Sequence, residues 1–318
     1  MTKKPSIIFM GTPEFAAHIL QDLIDSNYPV LAVVTAPDRP AGRGLKLKAS
    51  AVAQTAERNN LPVLKPEKLR NPEFLEDLKA FNAEVFVVIA FRMLPELVWS
   101  MPAKGTFNLH ASLLPQYRGA APIHWAIING EQTTGLSTFF IDKQIDTGDT
   151  IQKLACGIDQ KDTVGSLHDK LMNLGCELTK STLDAIGENT ATRQKQHIEE
   201  GETLKAAPKL FRPQCHINFN RPVMQVYNHI RGLNPFPGAF AILKQEGEKD
   251  RQVKFFDCWF EEKQSKAIGS WFVENEELKV ACVDGNIILK SLQLEGKKRM
   301  KAVDFIRGFN CEEGQVFG

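Results

Sequence analysis

Ser6-Ile-Ile-Phe-Met-Gly-Thr-Pro-Glu-Phe15 decides the fold of the first two-thirds of this chain. Its first five residues form an apolar run too short for a helix, which predicts a strand buried on both faces. Gly11 ends the run. Thr12 can cap a helix and Pro13 suits its first turn. Phe15, Ile19 and Leu23 then recur every fourth residue, with Ala16, Leu20 and Ile24 beside them, the stripe of a helix with one buried face. Val30–Thr35 is the next apolar run. Strand, helix and strand at this spacing predict a right-handed βαβ unit and a parallel sheet.

The alternation continues outward. The spacing predicts helices over Ala49–Asn59, Pro72–Phe81 and Val164–Ile186, and strands over Val85–Ala90, Gly105–His110 and Leu136–Ile141. The expected fold is α/β, an open doubly wound, mostly parallel sheet over residues 1–189. From 190 to 207 the chain is polar, lacks apolar periodicity and ends before Pro208, which reads as a linker. Residues 208–318 predict one helix, Pro222–Leu233, then short strands at Ala239–Lys244, Val253–Phe260, Gly269–Val273, Leu278–Cys282 and Ile287–Leu294, and a terminal helix at Lys301–Phe309. Short strands separated by Gly, Asp and Asn turns suggest a small barrel or sandwich.

The composition is that of an ordinary globular protein: 43% hydrophobic, 24% charged, formal net charge +1. That charge supplies no global attraction to nucleic acid, so any basic surface must be local. The six cysteines form no C-x-x-C pair, and no His, Cys or carboxylate cluster has metal-ligand spacing, so no metal is expected. The first apolar run is too short for a signal segment or a membrane span, and the expected location is the cytoplasm.

Ligands bind beyond the carboxyl ends of the strands in an open parallel sheet. There the sequence places Phe107-Asn-Leu-His-Ala-Ser-Leu-Leu-Pro115. Asn108 and His110 are two apart on a strand and share a face. One is an amide donor that does not ionise, and the other can give or take a proton near neutrality. Together they could stabilise an oxyanion and move a proton. Ile141-Asp-Lys-Gln-Ile-Asp-Thr-Gly-Asp149, after the next strand, offers carboxylates to partner His110. The Gly11–Phe15 turn lacks the G-x-G-x-x-G spacing of a dinucleotide cradle, which argues against a nucleotide-cofactor oxidoreductase.

Asn108, His110 and the Asp146-Thr-Gly-Asp149 run match the Asn/His/Asp set of the folate-dependent formyltransferases. Ser112-Leu-Leu-Pro115 resembles that family's folate-site loop, and Arg118-Gly-Ala-Ala-Pro-Ile123 its continuation. The resemblance implies a formyltransferase-like Rossmann variant followed by an OB-like barrel. It implies Asn108, His110 and Asp146 as catalytic residues and 10-formyltetrahydrofolate as co-substrate. The pterin is expected against Ala90, Leu94 and Ser112, Leu113, Leu114 and Pro115. Arg92 is a departure, since a small residue is usual there. Gly11-Thr-Pro-Glu-Phe15 and the loop Pro37-Asp-Arg-Pro-Ala-Gly-Arg-Gly44 resemble the members that formylate methionine on initiator methionyl-tRNA. In those members the loop engages the acceptor stem. On that resemblance, and because RNA needs a positive path, Arg39, Arg43, Lys46 and Lys48 are expected at the tRNA, with the local cluster Lys297, Lys298 and Arg299. Other acceptors on the same fold, such as glycinamide ribonucleotide or a sugar nucleotide, would need neither the basic loop nor the barrel.

Overall fold

The computed structural model describes residues 4–41, 46–244, 249–263, 266–308 and 316–317. The first stretch runs β1 (Ile7–Gly11), α1 (Glu14–Asp25), β2 (Val30–Val34), β3 (Arg39–Ala41), β4 (Lys46–Lys48), α2 (Ala51–Arg58), β5 (Val63–Leu64), α3 (Pro72–Ala80), β6 (Val85–Ile89), α4 (Glu96–Trp99) and β7 (Thr106–His110). After it come α5 (Pro122–Ile128), β8 (Thr133–Phe140), β9 (Thr150–Gly157) and α6 (Val164–Gly187). The remainder holds α7 (Val223–Gly232), β10 (Ala239–Lys244), β11 (Arg251–Phe255), β12 (Cys258–Glu261), β13 (Trp271–Glu274), β14 (Glu277–Ala281), β15 (Asn286–Leu289), β16 (Ser291–Leu294), β17 (Met300–Lys301), α8 (Ala302–Gly308) and β18 (Val316–Phe317).

Seven strands form one sheet in the order β5-β2-β1-β6-β7-β8-β9. The strands from β5 to β7 pair in parallel, and β8 runs antiparallel to β7. The strand order reverses at β1, so a crevice opens between the carboxyl ends of β1 and β6. The period of two is visible in the core. Ile8 and Met10, Ala32 and Val34, Phe86 and Val88 share one buried cluster with Phe74 and Leu78 of α3. Each of the larger side chains among them, fully buried, contributes about 1.5–3 kcal/mol. Helix α1 begins one residue later than its sequence suggests. Pro13 takes the N-cap position without a side-chain cap, and Thr12 does not cap. Helix α2 is capped by Ser50, which accepts from the Ala53 N–H at 3.0 Å.

Backbone proximity divides the chain into two compact units. One comprises residues 1–119, 134–156 and 168–206; the other comprises 120–133, 157–167 and 207–318. The second therefore takes two short excursions from the earlier sequence, including α5. Its core gathers Tyr227 and Ile230 of α7 with Ala241, Val253, Phe255, Val280, Ile287 and Leu292. The strands are antiparallel and lie in two sheets, β17-β16-β11-β10-β18 and β12-β15-β14-β13. Two runs that read as single strands are each broken. Val253–Phe260 divides between β11 and β12, and Ile287–Leu294 between β15 and β16, the halves lying in different sheets. The corners meet where the Asp257 carbonyl accepts the Lys290 and Ser291 N–H groups at 2.8 and 3.1 Å. A strand that changes sheet at a corner stays apolar through the bend, so hydrophobicity alone cannot mark the break. Among the described residues no helix is long and apolar enough to cross a membrane.

Candidate active site

Strand β7 ends at the carboxyl edge of the sheet, one strand beyond the β1–β6 crevice. Asn108 is half-buried, and its side chain forms no hydrogen bond among the described residues. His110, 7% exposed, lies two residues on. Its Nε2 is 2.8 Å from the Tyr117 carbonyl oxygen. A carbonyl can only accept, so the proton of the neutral ring sits on Nε2. Nδ1 is left toward Asp146, whose Oδ2 is 3.7 Å away. A proton added at Nδ1 makes an imidazolium facing a carboxylate.

Asp146 is held by its surroundings rather than by its own loop. Its Oδ2 accepts the Gly119 N–H at 2.9 Å, and its φ is +55°. That is the left-handed region, which Asp tolerates better than most residues. Gln196 Nε2 donates to both the Asp146 and Gly148 carbonyls at 2.9 Å. Arg118 fixes Gln196 in turn, with Nε and Nη2 donating to Gln196 Oε1 at 3.1 and 2.6 Å. Asp146 Oδ1 forms no hydrogen bond among the described residues. The neighbouring Asp142 is spent on the loop itself, accepting from the Gln144 N–H and the Thr147 hydroxyl.

The turn after β7 is internally bonded. Ser112 Oγ donates to the Gln116 carbonyl at 2.6 Å, Ser137 Oγ donates to the Ser112 carbonyl at 2.7 Å, and the Leu114 N–H donates to Ser137 Oγ at 3.0 Å. The Leu114–Pro115 peptide is cis, and Lys153 donates to the Leu114 carbonyl. Leu114 is buried while Leu113 and Pro115 are half-exposed. At the end of β6, Ala90 is exposed with φ +48°. Leu94, 7% exposed, belongs to the core cluster with Val88 and Val98. Arg92 is drawn aside, its guanidinium donating to the Pro66 and Glu67 carbonyls. Burial, with Arg39 nearby, lowers its basicity.

The basic loop is a two-stranded ribbon of β3 and β4 in which Arg39 lies opposite Lys48 and Pro40 opposite Leu47. Asp38, its only acidic residue, is paired with Lys65 at 2.9 Å. Arg43 lies outside the described residues, and Lys46 is placed by its backbone alone. Lys297 and Lys298 are exposed. Arg299 is committed within the fold, donating to Asp257 Oδ2 at 2.6 Å and lying 4.4 Å from the Phe256 ring centre.

Tyr117 and Gln196 carry no motif in the sequence, and Gly119 stands there only as part of the Arg118–Ile123 stretch. The 190–207 stretch, expected as a linker on its polarity, is tied to the first unit along much of its length. Gln194 pairs with Thr150, and Lys205 exchanges hydrogen bonds with Tyr117 and Gln116. The stretch is held by hydrogen bonds of its backbone and of Gln196 rather than by a row of buried apolar side chains, so it carries no periodic signal. Replacing Gln196 with Leu is expected to reduce turnover by about tenfold to a hundredfold by freeing the Asp146 loop. Thermal stability should change little, since Gln196 is half-buried. Steady-state kinetics beside a melting curve measure both, and unaltered turnover would remove Gln196 from the positioning of Asp146.

An amide donor, a tautomer-fixed imidazole and an anchored carboxylate at the carboxyl edge of a parallel sheet are the equipment for acyl transfer to an external nucleophile. The chain matches the family model "Formyl transferase" over residues 3–183 and "Formyl transferase, C-terminal domain" over residues 209–310. It belongs to the formyl transferase family. Methionyl-tRNA formyltransferase of Bacteroides fragilis is 48% identical over 315 residues, covering 96% of each chain. Methionyl-tRNA formyltransferase of Flavobacterium johnsoniae is 47% identical over 317 residues, covering 99% of this chain and 100% of that one. Among solved structures, WlaRD, a sugar 3N-formyl transferase crystallised with dTDP and 5-N-formyl-THF, superposes with a TM-score of 0.65 at 19% identity, over 93% of this chain and 99% of that one. HypX from Aquifex aeolicus in complex with tetrahydrofolic acid has a TM-score of 0.65 at 14% identity, over 95% of this chain and 47% of that one.

Proposed function

We propose that this chain transfers the formyl group of 10-formyltetrahydrofolate to the α-amino group of methionine on initiator tRNA, in the cytoplasm. The full-length likeness to methionyl-tRNA formyltransferases supports the acceptor. The observation that carries the chemistry is the unbonded Asn108 amide beside the His110–Asp146 pair. As the amine adds to the formyl carbon, charge develops on the formyl oxygen. Asn108 donates to it, and His110 donates through Nδ1 in its protonated form. One such donor is worth about 3–4 kcal/mol. Asp146 balances the imidazolium charge; its free Oδ1 can accept a proton from the incoming amine and return it to N10 of the folate as the formyl C–N10 bond breaks. The substrate's own amine is the nucleophile, so no Ser or Cys is required.

Exposed backbone at Ala90 and the bonded Ser112–Pro115 turn fit a flat, hydrogen-bonding pterin. Leu113 and Pro115 offer it half-exposed apolar surface, whereas Leu94 supports the wall from within the core. Arg39, Arg43, Lys46 and Lys48 serve the acceptor stem. Like charges opposed across a ribbon, as Arg39 and Lys48 are, repel unless an anion lies beside them. Lys297 and Lys298 serve the backbone elsewhere, with Arg299 as their structural support. We take residues 1–189 and 208–318 as the domains, a division supported by the two family segments.

The test is formyl transfer to methionine-charged initiator tRNA, run beside glycinamide ribonucleotide and an amino-sugar nucleotide. Product on the tRNA alone is expected, and product on a small acceptor alone would overturn the acceptor assignment. The double variant Arg39→Ala, Lys48→Ala should lower the slope of log affinity against log salt by about two. An unchanged slope would move the RNA contact away from the ribbon.

A further inference from the structure

The second unit contains a small cavity that the formyl-transfer chemistry does not use. It measures about 210 Å³ and is lined by Lys161, Arg231, Tyr227, Phe256 and Trp259 with Thr163, Asn234, Asp257 and Cys258. Its volume is below the roughly 300 Å³ at which pockets for drug-sized ligands begin, so it suits a single ring system with an attached group.

The cavity is lined by two cations, Arg231 and Lys161, and one carboxylate, Asp257. Arg231 is 6% exposed. Its hydrogen bonds go only to neutral oxygens: Asn228 Oδ1 at 2.8 Å and the Asp159 and Asp162 carbonyls at 3.3 and 2.8 Å. Nη2 forms no hydrogen bond among the described residues. A buried charge is ordinarily paired; here the buried Asp162 carboxylate acts on Arg231 through space, but no carboxylate of the described residues forms an ion pair with it. Asp257 does not serve, because Arg299, Ser291 and Asn234 already donate to its two oxygens at 2.6, 2.9 and 3.2 Å. Lys161, exposed, adds a second cation 5.7 Å from the Trp259 ring centre.

The walls are aromatic. Trp259 is half-exposed and sits edge-on to Tyr227 at 5.4 Å, with Phe260 at 5.3 Å behind it. Arg231 lies 5.5 Å from the Tyr227 ring centre. Phe236, two residues beyond Asn234, is 78% exposed, the most exposed large hydrophobic among the described residues. Its loop is nevertheless fastened. The Asn234 carbonyl accepts the Gly165 N–H, the Pro237 carbonyl accepts Lys254 Nζ, and the Gly238 N–H donates to the Leu233 carbonyl.

Aromatic faces next to a guanidinium and an ammonium take a planar base together with its phosphate. Stacking serves any base, and Arg matches phosphate geometry. We propose that this cavity binds one unpaired nucleotide of the tRNA, its base against Trp259 and its phosphate at Arg231 and Lys161. The inference rests on the reading of the chain as a tRNA formyltransferase. A free nucleotide has the same chemistry, and the experiment separates the two sources.

Lys161→Glu, at an exposed position, and Trp259→Leu are made in the full chain, with melting curves to confirm folding. Each is expected to raise the Kd for methionine-charged initiator tRNA about tenfold. AMP added to the wild type should quench tryptophan fluorescence, and Trp259→Leu should abolish that quenching. Unchanged tRNA affinity in both folded variants overturns the proposal. Quenching by AMP with unchanged tRNA affinity also overturns it and leaves a free-nucleotide site. A wild type that formylates small acceptors but not tRNA overturns the underlying reading instead, and the wild-type arm alone reveals this.

Discussion

Asn108→Ala is expected to lower turnover by about two to three orders of magnitude, with tRNA affinity unchanged. Two features make this a clean test. The Asn108 amide has no hydrogen-bond partner among the described residues, so its removal leaves no protein group orphaned. The side chain is half-buried at a strand end, so stability should fall by no more than about 1 kcal/mol. A donor used only as charge develops on the formyl oxygen lowers kcat and kcat/KM together. Steady-state kinetics and direct tRNA binding separate the possibilities. A parallel loss of tRNA affinity would make Asn108 a ground-state contact, and unimpaired turnover would remove it from the reaction.

Gly148→Ala should be nearly as damaging, through the backbone. A Cβ at this position would lie 1.8 Å from the Phe140 carbonyl oxygen and 3.0 Å from the Phe140 carbonyl carbon. A strand carbonyl cannot swing aside as a side chain can, so the loop must move. The adjoining bonds oppose that movement. The Phe140 N–H donates to the Asp149 carbonyl at 2.9 Å, and the Gly148 carbonyl accepts from Gln196. Relief of the clash should cost about 3 kcal/mol of stability and displace Asp146, two residues away. A shift of about 1 Å at a positioning group can reduce rate about a hundredfold. The variant should therefore melt at lower temperature and lose turnover, while Gly157→Ala, where nothing lies within 4 Å of an added Cβ and φ is not positive, serves as a control. Wild-type turnover in Gly148→Ala would show that the Asp146 loop needs no fixed geometry.

Much of the first unit was legible because buried parallel strands and one-faced helices leave clear periods. Ile7–Gly11, Val30–Val34 and Val85–Ile89, with helices α1, α2, α3 and α6, fall close to where the apolar spacing placed them. Three kinds of feature were not legible. Strand β9 mixes polar and apolar residues without clean alternation, so no strand was expected there. Helix α5 has only seven residues, although Pro122 at its first turn is a signal that could have found it. The strand breaks at Asp257 and Lys290 depend on which sheet each half joins, which no local pattern encodes.

The candidate site divides in the same way. The sequence alone determined that Asn108 and His110 share a face, because a strand has a period of two. It also determined that a carboxylate-bearing loop follows the next strand. Only the tertiary structure decided the rest: which nitrogen of His110 carries the proton, through the Tyr117 carbonyl; which carboxylate faces it, through the Gly119 N–H and Gln196; and that Arg231 is buried with its hydrogen bonds going to neutral oxygens. The physical reason is one of range. Periodicity and turn chemistry are set by neighbours a few residues apart, whereas a proton position or the setting of a buried charge is fixed by groups that come together only when distant segments pack.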